Sequence, residues 1–116
     1  MSGIEYSYLI TNKEKAMNRQ EKLEALRVLM EKQTREYFLK EFGRVDVHEQ
    51  SCVTSIKEGK KYTKVNRGGS GVYMVDEKGD IYGIKSYGVI HKGHYFGNLD
   101  TINQYNWGGY RAVKVQ

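Results

Sequence analysis

Proline is absent from the 116 residues, cysteine and tryptophan occur once each, and histidine and phenylalanine three times each. With no pyrrolidine ring to mark an edge strand or kink a helix, glycine must do the punctuation. A single Cys52 rules out an internal disulfide, and with it the stapled scaffold of a small secreted domain, so a reducing intracellular setting is expected. No apolar run approaches the ~18 residues of a membrane span. The segment 1–12 lacks a basic stretch followed by an apolar core, so no export signal is expected there either. The expectation is a cytoplasmic protein that is neither exported nor anchored.

Tyrosine and glycine are abundant instead, with ten and thirteen residues, and eleven of the glycines follow position 58. Charge is divided as unevenly as glycine. Residues 1–50 hold nine Lys/Arg against nine Asp/Glu, whereas residues 51–116 hold ten against five, so the whole net charge of +5 lies in the second half. A pI near 9.2 favours polyanions as partners through the summed field and counterion release. The chain has the length of one domain with one core, expected to span residues 1–116.

Residues 13–43 read as a helix or a helix pair. Thr11 and Glu14 fit a capping box, and Gly43 fits a left-handed stop. Ala16, Leu23, Leu26, Met30, Tyr37 and Phe38 recur at helical spacing, widened by Leu29 and Phe42. Opposite them runs a charged face that includes Lys22, Arg27, Glu31 and Arg35, with favourable four-residue ion pairs from Glu31 to Arg35 and from Glu36 to Lys40. Packing on the chain's own sheet is the expectation for the apolar stripe; a homodimer through this helix is the other use it allows, although Gln33 interrupts the seam.

From residue 51 the period changes to two. Strands are expected over 52–57 and 61–67, the latter with Thr63 and Val65 on one face and Tyr62, Lys64 and Asn66 on the other. Gly68 to Gly71 reads as a flexible connector. Val72–Asp76 and Asp80–Ser86 read as a hairpin turning at Gly79, with Val72 facing Ile84, Met74 facing Tyr82, Val75 facing Ile81, and Tyr73 covering Gly83. Strands over 95–99 and 110–115 complete an α+β fold: a helix or helix pair packed on a mainly antiparallel twisted sheet. The run from Tyr87 to Gly97 reads as a loop.

Enzymatic and metal-binding constellations are thin. Gly68 to Gly71 lacks the lysine and the following helix that a phosphate-cradling loop needs. His48, Cys52, His91 and His94 form the one set with metal-ligand spacing, and a single thiol makes it a sparse one. Asp76, Asp80 and Asp100 with His91 or His94 would suit a small metal-dependent hydrolase, but the first two flank a turn, where aspartate bonds to backbone. Non-enzymatic binding without a cofactor is therefore the leading expectation. The candidate site for DNA, RNA or a nucleoprotein complex is Tyr62, Lys64, Arg67, Lys85, Tyr87, His91, Lys92, His94, Tyr95, Trp107 and Arg111, in which cations track phosphates and rings stack on bases.

The segment Gly71-Val-Tyr-Met-Val-Asp-Glu-Lys-Gly-Asp-Ile-Tyr-Gly-Ile-Lys-Ser-Tyr-Gly-Val-Ile-His-Lys-Gly-His-Tyr-Phe-Gly-Asn-Leu-Asp-Thr-Ile102 resembles small uncharacterised proteins of tailed bacteriophages. Their shared features are a hairpin with an Asp-Ile-Tyr-Gly-like second strand, a basic His-Lys stretch and a Gly-x-Leu-Asp-Thr segment. The resemblance covers about residues 60–110. It implies a viral origin and an auxiliary role in the host cytoplasm, and it carries over no catalytic residues. It also implies a second class of function, a stoichiometric inhibitor of host defence of the anti-CRISPR kind that docks on a host protein. A chain at +5 is no acidic mimic of DNA, so such an inhibitor would work by protein docking.

Overall fold

In the computed structural model residues 17–116 are described. The expected capping box at Thr11 and Glu14, and Ala16, lie outside them. Helix α1 (Arg19–Phe42) begins on a capping box formed by a different pair of residues. The Asn18 side chain accepts from the Glu21 N–H at 2.9 Å, while the Glu21 carboxylate accepts from the Asn18 N–H at 3.4 Å. Gly43, at φ 73°, closes the helix as expected.

Leu23, Leu26 and Met30 are buried, and Thr34 continues their row by donating its hydroxyl to the Met30 carbonyl at 2.7 Å. The expected stripe does not stay buried beyond that point. Tyr37 and Phe42 are exposed, and Phe38 and Phe42 pack instead on His48, at ring separations of 4.8 and 5.0 Å. On the polar face Arg35 pairs with Glu31 as expected, at 3.7 Å, but Glu36 pairs back to Lys32 rather than forward to Lys40. That face is also more than solvated, because Glu31 accepts the Thr54 N–H and Lys22 reaches Asp100 at 2.8 Å.

After a 3₁₀ turn (Asp46–His48) and the short helix α2 (Glu49–Cys52) come five strands: β1 (Thr54–Glu58), β2 (Thr63–Arg67), β3 (Ser70–Val75), β4 (Asp80–Ser86) and β5 (Val89–Asn98). They form one antiparallel sheet in the order β1-β2-β3-β4-β5, each strand beside its successor. Cys52 ends α2 rather than starting a strand. Gly68 and Gly69 are no flexible connector: Arg67 pairs with Ser70, and the two glycines turn the chain at φ 64° and 141°, a tight loop that side-chained residues rarely enter. The run expected to be a loop, Tyr87 to Gly97, is largely β5. A two-stranded ribbon, β6 (Tyr105–Asn106) and β7 (Val113–Lys114), replaces the longer last strand expected over 110–115.

Cross-strand register divides the sheet into two faces. Ile56, Val65 and Tyr73 form one inward row and Thr63, Val75 and Ile81 another, both on the side of α1. Trp107, from the segment before the C-terminal turn, completes this core and meets Tyr73 edge-on at 5.3 Å. Burying the apolar faces of helix, sheet and ring together is the main force holding the layers in place. The β3–β4 hairpin pairs Met74 with Tyr82 and Val75 with Ile81 as expected. Pairing stops there. Val72 does not pair with Ile84 nor Tyr73 with Gly83, and the two strands part where register shifts fall in both neighbouring pairs, between Val65 and Asn66 and between Tyr82 and Gly83. His94 and Phe96, not Tyr73, cover Gly83, whose missing Cβ would lie 3.0 Å from the His94 Cβ. No helix among the described residues is long and apolar enough to cross a membrane.

Candidate functional site

The residues expected to bind a partner fall into separate environments. Trp107 belongs to the core, and Arg67 is half-buried beside it. Trp107 is 0% exposed and its indole N–H donates to the Ile102 carbonyl at 3.0 Å, so it has no face to offer a base. Arg67 sits on the inward side of β2, donating to the carbonyls of Trp107 at 2.9 Å and Gly109 at 3.0 Å and to the Thr34 hydroxyl at 3.4 Å. Its guanidinium is a brace between β2 and the C-terminal segment. Trp107 leaves the candidate set, and the guanidinium of Arg67 is engaged within the fold.

The outward face of the sheet gathers the largest group. Lys57, Lys64, Met74, Tyr82 and Tyr95 are successive cross-strand partners and so form one row across β1 to β5. Met74 is only 3% exposed, while Lys57 and Tyr95 are exposed and Lys64 and Tyr82 half-buried. Beside Tyr82, a depression of about 150 Å³ is lined by Lys61, Tyr62 and Lys92 together with Asp76, Glu77 and Lys78. The Lys64 ammonium lies 4.6 Å from the centre of the Tyr87 ring, and Lys61 lies 5.6 Å from that of Tyr62. Tyr82 and Tyr95 meet at 5.6 Å, and the Tyr95 hydroxyl donates to Asp80 at 3.2 Å. Burial, followed by the Asp80 charge, raises both phenols above their ordinary value, which keeps them protonated donors. Lys85 is exposed on β4.

Tyr87 has a second task. A Cβ on Gly71 would stand 2.5 Å from Tyr87 Cδ1, so the ring lies directly against the β3 backbone there. Half of it remains exposed.

His91, His94 and Arg111 belong to a third place. The two imidazoles stack at 3.9 Å, and His94 and Arg111 border a cleft of about 330 Å³ where β3 and β4 part. Burial first, and then the charges of His91 and Arg111, hold His94 below its ordinary value. The His91 Nδ1 is buried with no hydrogen-bond partner among the described residues.

The set His48, Cys52, His91 and His94 is not assembled. His48 stacks on Phe38, Cys52 is fully buried with its thiol pushed up chiefly by burial, and no three His, Cys, Asp or Glu among the described residues are grouped as metal ligands. The aspartates proposed for hydrolysis each have a structural partner. Asp76 accepts from the Lys78 and Asp80 N–H groups, Asp80 accepts from Tyr95, and Asp100 pairs with Lys22.

Sequence reasoning missed Lys57 and Tyr82 on the outward row and Tyr110 at the cleft. Alternation from Lys64 and Met74 was the available signal for the first two. Compared with protein-family models, curated proteins and solved structures, the chain matches none.

Proposed function

We propose that this protein binds nucleic acid, free or within a nucleoprotein complex, on the outward face of its sheet. The observation that carries this is the distribution of paired and unpaired charge. Every ion pair among the described residues draws its cation from 22–44, namely Lys22, Arg27, Lys32, Arg35 and Arg44. None of the ten Lys/Arg of residues 51–116 is in one. Lys57 and Lys64 even stand directly opposite each other, an arrangement that weakens a strand pair and is relieved when a polyanion lies over it. Lysines at the β1 and β2 end of the row and tyrosines at the β4 and β5 end suit a single strand, with phosphates on the lysines and bases on Tyr82 and Tyr95. Each stacked base is worth about 1 to 3 kcal/mol.

Fluorescence anisotropy of a labelled single-stranded oligonucleotide tests this reading. Saturable binding at low salt, weakened by Tyr82→Ala and Tyr95→Ala, is expected. An absence of binding at low salt would overturn it.

A further inference from the structure

The cleft between β3 and β4 lies apart from the outward row and has its own chemistry. Beyond Met74 and Tyr82 the strands separate, leaving a hollow of about 330 Å³ that Gly71 and Ile84 help to line. Tyr73 and Phe96 meet edge-on at 5.2 Å and form an aromatic wall, while Gly83 leaves room that a side chain would fill. Tyr110 and Arg111 stand at the mouth.

The hollow is half open and lined by polar and apolar groups in similar measure, and its volume lies at the lower end of the ~300 to 1,000 Å³ of small-ligand sites. Its charge has one sign. Arg111 from the C-terminal segment and His94 from β5 are the lining groups able to carry positive charge, and no acidic residue lines the cleft. The facing groups are His91 stacked behind His94, and the Tyr73 hydroxyl, which accepts from the Ala112 N–H at 2.8 Å. Arg111 has no ion-pair partner among the described residues. A guanidinium fork beside an imidazole matches a phosphate, which accepts from both. Tyr110 is 89% exposed, a ring left in water where a planar base would cover it.

We propose that this cleft is a separate site for a nucleoside monophosphate group, its phosphate between Arg111 and His94 and its base against Tyr110 and Phe96. The group is supplied either by a free mononucleotide or by the phosphorylated end of a strand. The site does not depend on binding at the outward sheet face.

NMR titration of the isotope-labelled full chain, following His94 and Arg111, tests the site with adenosine 5′-monophosphate, inorganic phosphate and adenosine. The monophosphate is expected to saturate at a concentration at least tenfold below either fragment and to move the His94 titration midpoint upward. Arg111→Gln, a change at an exposed residue, weakens it at least tenfold, and Tyr110→Ala weakens it as well. A response to the monophosphate no stronger than to phosphate alone, or one indifferent to Arg111→Gln, overturns the site. A 5′-phosphorylated tetranucleotide binding at least tenfold tighter than the monophosphate, and tighter than its 5′-hydroxyl form, assigns the ligand as a strand end; equal affinity for the monophosphate assigns the free nucleotide.

Discussion

The guanidinium of Arg67 donates to the carbonyl oxygen of Trp107 at 2.9 Å across forty residues of sequence. With the second bond to Gly109, this one side chain ties β2 to the segment that closes the core. Arg67→Ala leaves two carbonyls without their charged donor and is expected to cost about 2 to 3 kcal/mol. The thermal midpoint should fall by roughly 10 °C. A variant as stable as the parent, with reduced oligonucleotide affinity, would return Arg67 to the binding surface.

Trp107 is held from two further sides, since its backbone N–H donates to the Gln33 side chain at 2.8 Å and its indole N–H to Ile102. Trp107→Phe should cost about 1 to 3 kcal/mol through the orphaned Ile102 carbonyl and lost volume. Gln33→Ala should cost about 1 kcal/mol. Urea denaturation measures both, and the Trp107 fluorescence of the Gln33 variant should report unfolding at lower denaturant.

These two residues show where the sequence could be read and where it could not. Alternation along 63–67 puts Thr63 and Val65 on one face, and the same parity puts Arg67 with them; the structure makes that face the inward one. The Met74–Tyr82 and Val75–Ile81 pairs were legible because Gly79 fixes the turn locally. The parting of the strands beyond them was not, because it coincides with bulges on both sides, between Val65 and Asn66 against β3 and between Tyr82 and Gly83 against β5, and alternation along a single strand carries no mark of a bulge. Trp107 sits in a Gly-rich, irregular stretch with no period, so nothing in its neighbours signals that Gln33 and Tyr73 will enclose it. Asn18 and Glu21 carry the same three-residue capping signal as Thr11 and Glu14, and they cap the described helix.

Gly71→Ala tests the seat of Tyr87. The added methyl meets the ring and the Ile84 Cδ1, at 3.2 Å, so one of them must move, at about 1 to 3 kcal/mol. The double variant with Tyr87→Ala should be less destabilised than the sum of the single changes, a coupling that a double-mutant cycle in chemical denaturation measures.

Stability should also depend on His94. Its folded value lies below its ordinary 6.5, so the unfolded chain binds the proton more readily. The contribution is present above about pH 6.5 and is lost as pH falls below it. Thermal midpoints should therefore drop between pH 7.5 and pH 5.5, and His94→Gln should flatten that drop. An unchanged pH profile in the variant would show that His94 is not the group responsible.

Phosphates lying over the lysines of the outward face would give binding a salt dependence set by those lysines. The most direct test is the slope of log affinity against log salt for a single-stranded oligonucleotide, in the parent and in a Lys57→Gln, Lys64→Gln, Lys92→Gln variant. At about 0.7 unit per neutralised phosphate, removing three contacts should flatten the slope by about 2 units. A variant that binds with the parent's slope would show that phosphates do not lie over these lysines.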